Sequence, residues 1–183
     1  LVELEPGETI MRRGDKGSWL YFLVRGNLSV HLGETDCKPL NHITPGELFG
    51  DLALLCDHER KATVAAEKGS KTALLFATDF KPFGDLNNYQ QVDLQTKLIF
   101  YRTMVHSIRW RLEVHRMSNA DSMLASELRR VPTFSGVKDH EDELLSLFQQ
   151  AQLLASLLDS WNRTGSPIED IVVTADREAS AEI

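Results

Sequence analysis

The sequence predicts an α+β fold in which short antiparallel strands come first and helices follow. Up to about Thr78, segments rich in β-branched, aromatic and apolar residues alternate with glycine-containing turns, which is typical of an antiparallel barrel or jelly roll. Past Pro82 the pattern changes, and residues 92–117 contain neither glycine nor proline, which indicates one long helix. A chain of 183 residues can bury a core in one large or two small domains.

Four segments carry the strand signal most clearly, because each is apolar or β-branched and lies between turns. The predicted strands are Thr9 to Arg13, Trp19 to Val24, Leu28 to Leu32 and Thr72 to Ala77. Their periodicity alone does not distinguish a closed barrel from a jelly roll.

A glycine turn, an acid, the start of a short helix and an arginine lie within about a dozen residues. Gly50 permits a turn that other residues disfavour and lets the backbone approach a ligand closely. The amides of Leu52 and Ala53 would form a helix N-terminus that favours an anion. Arg60 can offer a planar fork of donors to a phosphate, and Asp51 can accept from a sugar hydroxyl. The pattern therefore indicates a site for a small phosphorylated sugar.

The same residues resemble the phosphate-binding cassette of cyclic-nucleotide-binding domains. The matching segments are Phe-Gly-acid-Leu-Ala-Leu-Leu at residues 49–55 and Arg-x-Ala-Thr-Val at residues 60–64. Upstream, four motifs recur in the order that this family shows: Pro6-Gly7-Glu8-Thr9-Ile10, Gly14-Asp15-Lys16-Gly17, Tyr21-Phe22-Leu23-Val24 and Arg25-Gly26-Asn27-Leu28. The resemblance covers roughly Leu4 to Phe83. It implies an antiparallel jelly-roll barrel over residues 1–83 and a ligand that is cAMP or cGMP.

The resemblance also implies a role for each residue of the cassette. Arg60 would pair with the exocyclic oxygens of the cyclic phosphate, and Asp51, where the family usually has glutamate, would accept from the ribose 2′-hydroxyl. From the residues alone, Asp51 is also a candidate helix N-cap, and the two roles are compatible. The predicted ligand-binding residues are Phe49, Gly50, Asp51, Leu52, Ala53, Arg60, Lys61 and Ala62. Phe49 is also a candidate for the apolar core. No catalytic residue, metal ligand or cofactor is predicted.

Two positions depart from the family pattern and leave the ligand open. Glu59 places a negative charge beside the phosphate site, and Lys61 matches neither the alanine of cAMP-preferring members nor the threonine or serine of cGMP-preferring members. The primary hypothesis is a regulatory sensor that binds a cyclic mononucleotide, with cAMP as the weak default. The alternative is an orphan domain of the same fold that acts as a ligand-independent interaction or dimerisation module.

The predicted helix from Val92 to Met117 carries an apolar seam with alternating steps of four and three residues. Its members are Leu94, Leu98, Tyr101, Val105, Ile108 and Leu112, and a second row contains Ile99, Phe100, Met104, Trp110 and Val114. One interpretation packs this helix on the barrel; the other adds a partner helix and predicts a homodimer. In the resembled family the corresponding helix is a lid that often pairs with its copy. The resemblance therefore implies that Phe100, Tyr101 or Trp110 is available to stack on the base.

The rest of the chain is predicted to be helical and then flexible. The C-terminal helical region spans residues 84–163, with further helices at about 120–130, ending before Pro132, and at about 139–161, opening with acidic residues. Residues 164–183 are predicted to form a flexible tail. No output module can be assigned to these helices, and we expect the chain to be part of a longer protein.

Several functional classes are disfavoured by composition and motif content. A net charge of −7 opposes general nucleic-acid binding, and the long acidic-to-leucine segment at 139–161 does not resemble a recognition helix. No apolar run of membrane-spanning length occurs, so this chain is not expected to contact a membrane directly. Two cysteines without metal spacing favour a cytoplasmic location. The absence of a hydrolase elbow, a metal-binding histidine pair or a Walker loop argues against an enzyme.

Overall fold

The computed structural model describes residues 1–32, 38–56, 59–119 and 122–164. The chain divides into two compact units, Leu1–Asp93 and Leu94–Ile183. The first unit contains antiparallel sheets and the second contains the three long helices, which confirms the predicted combination of antiparallel sheets and helices. The tail predicted for residues 164–183 falls, beyond Thr164, outside the described residues.

Eight strands build the first unit: β1 (Val2–Leu4), β2 (Thr9–Met11), β3 (Trp19–Arg25), β4 (Leu28–His31), β5 (Asn41–Ile43), β6 (Leu48–Phe49), β7 (Thr63–Ala66) and β8 (Ala73–Asp79). They form two four-stranded antiparallel sheets, ordered β1-β8-β3-β6 and β2-β7-β4-β5. Two such sheets are the arrangement of a double-sheet jelly roll. Among the described strands no ladder joins the two sheets, so hydrogen bonds do not close a barrel.

Five helices complete the described chain: α1 (Asp51–Leu55), α2 (Lys81–Gly84), α3 (Leu94–Asn119), α4 (Ser122–Arg130) and α5 (Glu141–Thr164). Within the described residues, none of these helices combines the length and the hydropathy that crossing a bilayer requires. The helix expected at 92–117 corresponds to α3, and the two later helices correspond to α4 and α5. Residues 120 and 121, at the predicted start of the second helix, lie outside the described part of the chain.

The core of the first unit draws side chains from both sheets. Its buried members are Leu4, Tyr21, Leu23, Leu28, Ile43, Phe49, Val64, Ala66, Ala73 and Leu75. Phe49, the last residue of β6, stacks on Tyr21 of β3 with ring centroids 5.3 Å apart. This contact anchors the end of β6, and with it the glycine turn that follows, to the interior of the unit.

In the second unit, α3 packs against α5 through its apolar seam, the row of residues for which a partner helix was one interpretation. Leu98, Tyr101, Ile108 and Leu112 of that seam are fully buried. The ring of Tyr101 meets Phe148 of α5 edge to face, with centroids 5.6 Å apart. A helix of the same chain therefore packs against this face of α3. The predicted homodimer through residues 92–117 stays a prediction, and the apolar residues of α3 that remain exposed for it are Ile99, Trp110, Val114 and Met117.

Glu143 ties α5 to α3 and to the residues that precede α5. Arg102 of α3 donates from Nε to Oε1 at 3.1 Å and from Nη2 to Oε2 at 2.6 Å. The backbone N–H of Asp139 also donates to Oε2, at 2.7 Å. The Glu143 side chain is buried. These hydrogen bonds, above all those from Arg102, hold the pKa of Glu143 below its ordinary value.

Replacing Glu143 with glutamine is expected to lower the free energy of unfolding at neutral pH by about 2 kcal/mol, because charge-assisted hydrogen bonds are lost. The lowered folded-state pKa makes the contribution of the carboxylate fully present above the ordinary value of 4.5. That contribution is lost as the pH falls through the folded-state pKa, so wild-type stability should fall more steeply with acidification than that of Glu143→Gln. Denaturant unfolding followed by far-ultraviolet circular dichroism from about pH 7 to about pH 3 measures the difference.

Glu141→Gln is the matched control, because Glu141 is an exposed acid in the same first turn of α5. This control should keep the wild-type pH dependence. If Glu141→Gln and Glu143→Gln had the same pH slopes, the role given to Glu143 would be contradicted.

Candidate functional site

The turn between β6 and α1 depends on a backbone conformation that only glycine readily adopts. Gly50 has φ +86° and ψ 0°, in the left-handed region, and α1 begins at the next residue. Gly50 is itself the N-cap of α1, and no side chain caps this helix end. The alternative role of Asp51 as an N-cap is therefore wrong: the left-handed turn at Gly50 makes Asp51 the first helical residue.

Arg60 is held near this turn by backbone pairing with a second glycine-containing turn. Its N–H donates to the carbonyl oxygen of Asp15 at 2.8 Å, and its own carbonyl accepts from the N–H of Gly14 at 2.9 Å. Lys16 and Glu59 form an antiparallel bridge beside it. These backbone hydrogen bonds position Arg60 independently of the contacts of its side chain.

The Arg60 side chain then reaches the Gly50 turn. Nη1 donates to the carbonyl oxygen of Gly50 at 2.9 Å, and Nη2 donates to the carbonyl oxygen of Trp19 at 2.6 Å. The guanidinium carbon lies 5.7 Å from the centroid of the Tyr21 ring. A Cβ atom on Gly50 would lie 2.8 Å from Nη1, and one on Gly17 would lie 3.2 Å from Nη2. Glycine at both positions leaves the space that the guanidinium occupies.

Arg60 places a positive charge in a site shielded from water. Its relative exposure is only 4%. Burial lowers the pKa of Arg60, while the nearby carboxylates of Asp15 and Asp51 act to raise it. The two acceptors described above are neutral carbonyl groups. Asp15 and Asp51 already supply negative charge near the guanidinium. What Arg60 offers an anion close to the Gly50 turn is a planar set of donors in a site shielded from water.

The other predicted site residues surround the same turn in different ways. Asp51 is only 2% exposed, Ala53 is buried and Leu52 is half-buried. Lys61 and Ala62 are half-buried and lead from Arg60 into β7. The side chain of Phe49 belongs to the core, so only its main chain is available to the site.

The structure adds residues that the sequence did not assign to the site. Tyr21 lies beneath the guanidinium, and the Trp19 carbonyl receives one of its hydrogen bonds. Asp15 and Gly17 belong to the glycine-flanked motif at residues 14–17, whose residues carry no predicted role. That motif was the available signal for them, whereas no sequence pattern identifies the carbonyl of Trp19 as an acceptor.

Replacing Gly50 with alanine is expected to destabilise the first unit by about 2–3 kcal/mol. A positive φ costs an L-residue roughly 1–2 kcal/mol, and the new Cβ would also displace Nη1 of Arg60. Gly46→Ala is the control, because Gly46 has φ +98° and no described atom within 4 Å of an added Cβ. Denaturant unfolding of both variants measures the excess cost at Gly50. Equal losses would contradict the close packing of Arg60 on the turn.

Comparison with known proteins places these features in a family context. Residues 1–85 match the family model described as cyclic nucleotide-binding domain. The chain is 37% identical over 76 residues to a cAMP-dependent protein kinase regulatory subunit of Colletotrichum orbiculare, which covers 42% of this chain and 19% of that protein. It is 38% identical over 73 residues to a cGMP-dependent protein kinase of Plasmodium berghei, covering 40% of this chain and 8% of that protein.

A third relative is the cyclic AMP receptor protein of Thermus thermophilus, 35% identical over 77 residues, with 40% of this chain and 35% of that protein covered. The chain thus spans only a minor part of the length of each of these relatives. Each match covers less than half of this chain.

Proposed function

We propose that this chain is a regulatory sensor that binds a cyclic mononucleotide at the Gly50 turn. The match of residues 1–85 to the family model described as cyclic nucleotide-binding domain supports this proposal. The observation that carries the proposal is the buried guanidinium of Arg60 beside that turn. A cyclic phosphate is an anion small enough to meet this group, and its oxygens could accept charge-assisted hydrogen bonds from it.

The donors of Arg60 match the geometry of a phosphate. A guanidinium carries five N–H donors in one plane, and two of them can engage two phosphate oxygens in parallel. In the proposed complex Nη1 and Nη2 turn wholly or partly from the carbonyls of Gly50 and Trp19 toward the exocyclic oxygens. The amides of Leu52 and Ala53, in the first turn of α1, supply further donors.

The remaining contacts of the proposed site orient the sugar and the base. Asp51 accepts from the ribose 2′-hydroxyl, with a side chain one methylene shorter than glutamate. Phe49 and Gly50 contribute backbone, and Lys61 and Ala62 extend the wall of the site toward β7. Lys61 adds a positive charge that offsets the negative charge of Glu59. It does not indicate a preference for adenine or guanine, so cAMP is proposed over cGMP only as the weak default.

Ligand occupancy is proposed to be transmitted through the helix that follows the sheets. Coupling requires that the cyclic nucleotide bind with different affinity to two positions of α3, because a ligand shifts an equilibrium only by its differential affinity. The effector that reads the position of α3 is unassigned, and the domain itself is proposed to be a non-enzymatic, cytoplasmic module. A homodimer formed through α3 is part of the same proposal.

Isothermal titration of the chain with cAMP, cGMP and 5′-AMP tests this function. We expect micromolar or tighter binding of one cyclic nucleotide, about −8 kcal/mol or more favourable, and much weaker binding of 5′-AMP, whose phosphate is not closed onto the ribose. The better of the two cyclic ligands identifies the base. No heat of binding with either cyclic nucleotide would contradict the sensor function.

One observation favours the alternative of an orphan interaction module. The terminal nitrogens of Arg60 already donate to the carbonyls of Gly50 and Trp19, so the buried charge has acceptors without a ligand. A chain that binds no cyclic nucleotide yet sediments as a stable dimer would establish this alternative. A monomer without ligand would contradict both functions.

A further inference from the structure

The helical unit contains a cavity that neither the proposed sensor function nor the apolar core accounts for. It lies among α3, α4 and the residues just after α4, and its volume is about 380 Å³. Its lining consists of Arg109, Glu113, Arg116, Ala125, Leu128, Arg129, Val131 and Thr133. All of these residues belong to the second unit, and none of them takes part in the Arg60 site.

The walls of this cavity carry an excess of positive charge. Three arginines line it against a single glutamate. Glu113 accepts from Nε of Arg116 at 2.6 Å, so its charge is matched within the wall. Among the described residues, Arg109 makes only a long hydrogen bond, 3.4 Å from Nη1 to the carbonyl oxygen of Leu128, which is a neutral acceptor. Among the described lining residues, the charges of Arg109 and Arg129 therefore have no acidic counterpart.

The rest of the lining is mostly aliphatic. Ala125, Leu128 and Val131 supply aliphatic surface, and Thr133 adds one hydroxyl group. A volume of this size lies at the small end of the range for small-molecule sites, and is too small for a folded partner element. Arginine is the side chain best suited to grip a phosphate or a carboxylate.

We propose that this cavity is a second ligand site, for a small organic anion with a phosphate or carboxylate group and an apolar body. The anionic group binds Arg109 and Arg129, and the apolar body contacts Leu128 and Val131. Because α3 contributes one wall, occupancy of the cavity stabilises the packing of α4 on α3. The proposal does not depend on the chain binding a cyclic nucleotide.

The test uses the full chain carrying Arg60→Ala, so that the first anion site does not contribute. Phenyl phosphate, benzoate and inorganic phosphate are titrated at constant ionic strength, and the side-chain N–H signals of arginine are followed by nuclear magnetic resonance. We expect phenyl phosphate to bind about tenfold more tightly than inorganic phosphate, because only phenyl phosphate contacts the aliphatic wall. Benzoate reports whether a carboxylate suffices.

Arg109→Gln and Arg129→Gln are each expected to weaken phenyl phosphate binding by about tenfold. Arg130→Gln is the matched control: Arg130 follows Arg129 on α4 but is paired with Glu127 at 2.7 Å and does not line the cavity. Circular dichroism verifies that all three variants stay folded. Equal weakening in all three variants, or equal affinity for phenyl phosphate and inorganic phosphate, would indicate general attraction of anions and overturn the proposal.

Discussion

Replacing Arg60 with alanine is expected to weaken cyclic-nucleotide binding by about a hundredfold or more. The guanidinium would provide two charge-assisted hydrogen bonds to the phosphate, and each such bond contributes roughly 1.5–3 kcal/mol when its partner is buried. At 1.4 kcal/mol per factor of ten, the loss of both exceeds two orders of magnitude. Isothermal titration of wild type and variant with the same ligand measures the change.

Two further variants separate the fork of Arg60 from its charge and from general surface charge. Arg60→Lys keeps a positive charge but loses the planar pair of donors, so we expect an affinity between those of wild type and Arg60→Ala. Arg12→Ala removes an exposed arginine from the same unit and should leave the affinity unchanged. If Arg60→Ala is folded and its affinity lies within about threefold of that of wild type, the proposed role of Arg60 in binding the ligand is contradicted.

Replacing Tyr101 with alanine is expected to lower the stability of the helical unit by about 3–5 kcal/mol. Tyr101 is fully buried, and its ring meets Phe148 edge to face at 5.6 Å and Phe100 at 5.2 Å. Truncation would leave a ring-sized cavity between α3 and α5. Loss of helical signal during denaturant unfolding, followed by far-ultraviolet circular dichroism, measures the effect.

Trp110→Ala is the control for this prediction, because Trp110 lies on the same helix but is 61% exposed. Its removal should change the stability by no more than about 0.5 kcal/mol. The enclosed ring of Tyr101 is unsuited to stacking on a nucleotide, and stacking by Phe100 or Trp110 stays a prediction. Similar losses for the two variants would contradict the packing of α3 on α5.

Long strands and the cassette could be predicted from the sequence because their signals are local. β3 and β8 each extend over seven residues, enough for their apolar and β-branched character to be visible. The glycine, the acid and the arginine of the cassette lie within about a dozen residues. Their proximity in the structure, with Arg60 donating to the carbonyl of Gly50, follows from that spacing and from the turn that only glycine favours.

Four short strands, β1, β5, β6 and β7, are absent from the sequence prediction, whereas the equally short β2 and β4 are included in it. β1, β5 and β6 are three, three and two residues long, and β7 is four. Their existence depends on pairing partners far along the chain, such as β1 with β8. Such pairing is a property of the folded chain and has no local signature.

The partner of the α3 seam could not be chosen from periodicity. An apolar stripe shows that a helix buries one face but does not say which element covers it. Here α5 of the same chain covers it, and the leucines of α5 were visible in the sequence without indicating their target. Similarly, the N-cap role considered for Asp51 depended on the backbone angles of Gly50, which residue type alone does not set.

The central claim, that a cyclic nucleotide binds at the Gly50 turn through Arg60, is tested most directly by nuclear magnetic resonance of the isotope-labelled chain. The amide signals of Gly50, Leu52, Ala53, Lys61 and Ala62, and the side-chain Nε–H signal of Arg60, are followed as cAMP or cGMP is added. We predict that these signals shift most and saturate together with one of the two ligands. No shift at these positions with either cyclic nucleotide, or shifts confined to other parts of the chain, would contradict the account.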